Sequence, residues 1–167
     1  MKILGTILLV LGFGFLLSFA IMGLCWRISY NMKCEQYLKR SADANTVVLA
    51  KQNLDNAIQY LERNQLTNGI VSIFLRQPKN DIGYWYLNLK SASSELSKVT
   101  DQTTQLERSN LLMKLRETLL DTSETGAEIT CPSGISIYPY NALFFWIYMV
   151  AIIFIFTGTI ILLLHYA

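Results

Sequence analysis

Apolar positions along this chain follow two different rules, and the points where the rule changes divide it. From Ile3 to Trp26, and again from Asn141 to Leu164, 24 residues pass without a charged one. About 20 apolar residues suffice for a helix to cross the hydrocarbon of a bilayer. A core helix of a soluble protein carries a polar face, and neither run has one. Between the runs, apolar residues recur at alternating three- and four-residue steps. Val47, Ala50, Leu54, Ala57 and Leu61 form one such series, widened by Ile58. Trp85, Leu89, Ala92, Leu96 and Val99 form a second, and Leu112, Leu115 and Leu119 a third. That period predicts three helices, each with one apolar stripe and coiled-coil-like spacing.

Capping residues set the expected ends of these helices. The first reaches back to Cys34 and is expected to end at Asn68-Gly69, because glycine readily takes the left-handed conformation that closes a helix. Its pattern weakens from Ser41 to Thr46, and a break there would make four helices. Pro78-Lys79-Asn80-Asp81 is a turn with an N-cap before the second helix, and Thr104-Gln105-Leu106-Glu107 is a capping box before the third, which ends near Asp121. Unbroken, the first helix would be about 50 Å long and the others about 27 Å. A chain that folds back twice must then return over Glu124 to Tyr140, and roughly 16 extended residues reach about 53 Å. Glu128-Ile129-Thr130 and Ile135-Ser136-Ile137, around Pro132-Ser133-Gly134, read as extended chain about a turn.

The expected fold is therefore mainly α. Transmembrane helices in residues 1–26 and 141–167 flank an extramembrane domain in residues 27–140. That domain is a three-helix (or four-helix) bundle or a helical hairpin, with an extended return segment before the second span.

Composition narrows the partners. The 14 basic and 12 acidic residues leave a net charge of only +2 and are interspersed, as on a solvated surface. No basic run tracks phosphates, so nucleic acid is not an expected partner. Met1-Lys2, the apolar run and Ser18-Phe19-Ala20 share features with a cleaved signal peptide. The run continues through Ile21, Met22, Gly23, Leu24 and Cys25, however, and reads as an uncleaved signal anchor. Cys25 is not a lipoprotein site, since Leu24 stands where a small residue is needed.

Two signals disagree about sidedness. Arg27, Lys33, Lys39 and Arg40 would hold the domain in the cytoplasm, yet long domains cross largely regardless of charge. Cys34 lies eight residues beyond the first run and Cys131 ten before the second, so spans packed side by side would bring them to a similar height. A disulfide between them would contribute up to about 4.7 kcal/mol in the chain-entropy model. It would persist only in an oxidising compartment; two unrelated thiols are the alternative. The expected arrangement is a two-span membrane protein with an extracytoplasmic domain and both termini in the cytoplasm.

Chemistry-bearing motifs are scarce. His165 is the single histidine, so no catalytic triad and no two-histidine metal site can be assembled. No C-x-x-C spacing and no glycine-rich phosphate loop occurs. Catalytic residues, metals and cofactors are not expected. The stretch from Gly69 to Leu75 is unusually apolar for a helix connection and marks a contact surface, with Ile70, Val71, Ile73, Phe74, Leu75, Arg76, Tyr84 and Tyr86 as its candidates. A hydrophobic lid over the helices is the competing reading. In the first span, Gly14 with Ser18 and Gly5 with Gly12 are candidate packing faces. Trp26, Arg27, Tyr138, Tyr140, Trp146, Tyr148 and Tyr166 are candidate interfacial anchors, with Pro139 at the start of the second span.

These features point to a non-enzymatic accessory, scaffold or interaction subunit. Its partners would be the lipid bilayer and either another membrane protein or a second copy, and a small-molecule ligand is not expected. One alternative is a ligand-sensing module that signals through a separate partner. In layout alone the chain resembles the input half of bacterial chemoreceptors and sensor kinases, without a shared motif, and only His165, Tyr166 and Ala167 follow the second run. A membrane-active or lysis-type protein is the other alternative.

Overall fold

The structure, a computed structural model, describes residues 1–123 and 126–166. The chain is mainly helical and divides into two compact units, Met1–Arg27 with Pro139–Ala167, and Ile28–Tyr138. Helix α1 (Lys2–Tyr30) is followed by a wider π-helical turn, Asn31–Glu35, and by α2 (Gln36–Ala42). Then come α3 (Val47–Arg63), α4 (Ile82–Ser97), α5 (Gln105–Leu119), strands β1 (Leu120–Ser123) and β2 (Gly126–Ile129), and α6 (Asn141–Tyr166). Helices α1 and α6 are both long and apolar enough to cross a membrane.

In the Ile28–Tyr138 unit the core forms on the apolar stripes. Ala50, Leu54, Ala57, Ile58 and Leu61 of α3 are buried together with Leu38 of α2, Leu89 and Leu96 of α4, and Leu115 and Leu119 of α5. Helix α3 packs against α2, α4 and α5. The weak stretch after Ser41 is a true break: α2 ends at Ala42, and Thr46 caps α3 by accepting a hydrogen bond from the Leu49 amide. The Ser41 hydroxyl is fully buried and donates to the Ala50 carbonyl at 2.7 Å, so the chain folds back on itself here. The single helix of about 50 Å is thereby replaced by two short ones. Small side chains at Ala42 and Ala50 suit the close approach.

Helix α3 ends at Arg63, before the Asn68-Gly69 expected to close it. Gln65 takes the left-handed conformation at φ 57°. The Leu66 amide donates to Leu61 and the Gln65 amide to Glu62, satisfying two terminal carbonyls as a Schellman motif does. Gly69 is left-handed too, at φ 116°, for a different reason. A Cβ there would lie 2.0 Å from the Tyr138 hydroxyl, so the glycine makes room for that ring.

The return differs from one extended run. Leu120 leaves α5 directly into an antiparallel hairpin in which Leu120 pairs with Ile129 and Ser123 with Gly126. Glu124 and Thr125 lie outside the described residues. Ile135–Ile137, expected as extended chain, is a 3-10 turn entered through left-handed Gly134, with Ile135 buried. The return is tied to the helices by Trp85, whose indole N–H donates to the Thr130 carbonyl at 2.5 Å.

Candidate functional site

The loop between α3 and α4 is pinned at its base. The Ile82 amide donates to Gly69 at 2.9 Å and the Val71 amide to Asn80 at 3.1 Å, closing a short antiparallel contact between Ile70 and Asp81. Val71 is buried beneath it and Ile70 half-buried. At the far end, Pro78–Asn80 makes a 3-10 turn, and Asp81 caps α4 by accepting from the Tyr84 amide at 3.1 Å. The closed base holds the tip out. Ile73, Phe74 and Leu75 are 39%, 67% and 70% exposed, and Arg76 is exposed beside them.

Part of this loop therefore behaves as the lid reading requires, through Val71, while residues 73–76 face outward. Tyr84 is exposed on the first turn of α4. Tyr86 is half-buried, one turn further along α4. Its hydroxyl donates to Glu62 Oε1 at 2.6 Å, and Lys90 pairs with the same carboxylate at 3.1 Å. The hydrogen bond from Tyr86, with that from Lys90, holds the Glu62 carboxyl below its usual range.

Cys34 and Cys131 come together in the same unit. Cys34 sits fully buried in the π-helical turn, and Cys131 packs half-buried against that core. Both are free thiols, and Cys131 Sγ donates to Glu35 Oε1 at 3.6 Å. Burial, followed by the nearby Glu35 charge, pushes the Cys131 thiol up to about 12. The Tyr30 and Tyr60 rings meet edge-on above this site, 6.1 Å apart.

A groove of about 1340 Å³ runs between the start of α3, the end of α4 and the start of α5. Three of its charged groups, Lys51, Asp55 and Arg108, are engaged locally. Asp55 pairs with Lys51 and accepts from Ser93, and Arg108 donates to the Thr100 and Thr103 carbonyls. Among the described residues, no group of three or more His, Cys, Asp or Glu side chains is placed to hold a metal ion.

In the other unit, α1 and α6 run antiparallel along a seven-residue seam. Gly5, Gly12, Phe19 and Trp26 line it on α1, and Phe144, Ala151 and Gly158 on α6. A Cβ on Gly12 would meet Ile155 Cγ1 at 2.6 Å and the Ala151 carbonyl at 2.9 Å; one on Gly158 would meet the Gly5 carbonyl at 2.9 Å. At the Trp26 end this side chain packs on Tyr140 and Phe144 with tilted rings, centroids 5.6 and 5.5 Å away. Gly14 has nothing within 4 Å, and Ser18 is exposed with it, so the two expected small-residue faces behave differently.

Among the proposed anchors, Arg27 and Trp146 are exposed and Tyr148 half-buried. Tyr138 instead packs against the core of the Ile28–Tyr138 unit at Gly69. The side chain of Tyr166 lies outside the described residues. Ala151 and Gly158 carry no distinctive signal in one apolar run; only their spacing of seven from Phe144 could have marked them. Comparison with protein families, with curated proteins and with solved structures finds no match to this chain.

Proposed function

We propose that this chain is a non-enzymatic two-pass membrane protein, an accessory or scaffold subunit that presents a helical bundle beside the bilayer. Ile3–Trp26 and Asn141–Leu164 are the spans, the first an uncleaved signal anchor. The domain between them is extracytoplasmic and both termini are cytoplasmic. The observation that carries the reading is the exposure of α1 and α6. Ile3, Leu17, Phe156 and Leu163 all stand exposed on helices with no charged face, whereas a soluble core helix would bury them. Each such side chain gains about 1.5–3 kcal/mol on leaving water, and lipid supplies that environment.

Within this reading the exposed tip at Ile73–Leu75 is the contact surface, and Cys34 and Cys131 staple the domain. Their oxidation transfers two electrons and two protons from the thiols to a disulfide-bearing oxidant of the compartment, leaving one S–S bond. Its proximity to Glu35, next in sequence to Cys34, supports Cys131 as that partner. Mild crosslinking of membranes followed by detergent extraction should recover an assembly larger than the chain. A strictly monomeric particle would count against the scaffold role. On a non-reducing gel the parent chain should run faster than its Cys131→Ser variant, and equal mobility would remove the staple.

A further inference from the structure

We propose that the α3–α4 loop docks on an anionic lipid surface, with Phe74 and Leu75 entering the acyl boundary and Arg76 and Lys79 meeting the headgroup phosphates. The inference rests on the reading above only in placing this domain beside lipid. Three successive apolar side chains, Ile73, Phe74 and Leu75, project from a loop whose base is closed by backbone hydrogen bonds. They are held out by the fold, so little ordering is required when they bind.

The charge around them has one sign. Residues 65–80 contain Arg76 and Lys79 and no carboxylate, a local charge of +2. Both cations are exposed and neither has an ion-pair partner among the described residues. The adjacent carboxylates are already occupied: Asp81 caps α4, and Glu62 is held by Tyr86 and Lys90. An apolar tip flanked by uncompensated cations complements an interface whose headgroups are negative and whose interior is hydrocarbon. The aromatic residue is at a projecting tip, and the groove of this unit is lined by other segments, residues 45–55 and 96–112.

The test uses the full chain in nanodiscs of neutral phosphatidylcholine, mixed with vesicles of phosphatidylcholine alone or with about 30% phosphatidylglycerol. The chain should co-float with the anionic vesicles, at least tenfold more than with neutral ones, and less as salt rises. Phe74→Ser with Leu75→Ser should abolish co-flotation. Arg76→Gln with Lys79→Gln should remove the preference for phosphatidylglycerol. All four side chains are exposed, so unchanged thermal melting will show that the variants fold. A Leu75→Trp variant, placed in nanodiscs of each composition, should shift its emission to the blue in the anionic ones, which reports docking on the chain's own bilayer. Vesicle binding indifferent to these substitutions, or no binding and no shift, overturns the proposal. A photoreactive residue at 74 that captures a protein instead of lipid overturns it while leaving the scaffold role standing. Lipid docking without any larger assembly does the reverse.

Discussion

Helices α3 and α6 draw on similar apolar residues and use them in opposite ways. In α3 the apolar side chains at Ala50, Leu54, Ala57 and Leu61 are buried and Lys51, Asp55 and Glu62 lie on the outer surface, with Val48 and Leu49 exposed only in the first turn. In α6 the buried positions are Phe144, Ala151 and Gly158, seven apart, while larger residues such as Ile152, Phe156 and Leu163 face outward. Where water surrounds a helix, large side chains go in and polar ones out. Where lipid is the proposed surrounding, no hydrophobic force pushes large residues inward, and the contact is chosen by how closely backbones can approach. The two units therefore differ in which substitutions they tolerate.

The largest effect is expected in the α3 core. Leu54→Ala removes a fully buried side chain and should cost about 4 kcal/mol in thermal or denaturant unfolding of the Ile28–Tyr138 unit. Leu17→Ala, exposed on α1, should leave the same transition in place. Next comes Gly69→Ala, where a Cβ at positive φ would collide with Tyr138. About 3 kcal/mol is expected from left-handed strain and overpacking together, seen as a lowered melting temperature.

In the other unit the comparison lies between two glycines on one helix. Gly12→Ile should prise α1 from α6, at about 2 kcal/mol, and abolish a crosslink engineered between them; Gly14→Ile should leave the crosslink intact. The smallest effect concerns Asp55. Its burial raises the carboxyl, but hydrogen bonds from Lys51 and Ser93 outweigh this and leave it below the usual 3.8. A depressed folded value means the contribution is complete above 3.8 and is lost as pH falls through the folded value. Its side chain is 44% exposed, so solvent screening holds the contribution to about 0.5 kcal/mol. Asp55→Asn should flatten the unfolding midpoint in that acid range by a correspondingly small amount.

Features governed by local chemistry were legible in the sequence. The stripes of α3 and α4, the Asp81 cap and the Thr104–Glu107 capping box each depend on residues within four or five positions, and the structure places them there. What escaped depends on distant contacts or on a residue acting against type. Gln65 closes α3 in a conformation that favours glycine, sustained by two backbone bonds and by the burial of Leu66. The α2–α3 turn depends on a buried serine finding the Ala50 carbonyl, and the β-hairpin follows α5 without an intervening loop. At the tip, hydrophobicity alone could not separate buried Val71 from exposed Phe74; the hydrogen-bonded base decides it. Tyr86, equally aromatic, is engaged by Glu62, a pairing that spacing does not reveal because the two residues are 24 apart in sequence.

The central claim is that two spans hold the helical domain on one side of a membrane and both termini on the other. Single cysteines introduced at Lys2, Asn88 and His165 test it directly, each scored against the parent chain with a membrane-impermeant maleimide. Asn88 is exposed on α4 and should label in intact cells, while positions 2 and 165 should label only after permeabilisation. Labelling of position 88 only after permeabilisation, or of all three positions alike in intact cells, would contradict the account.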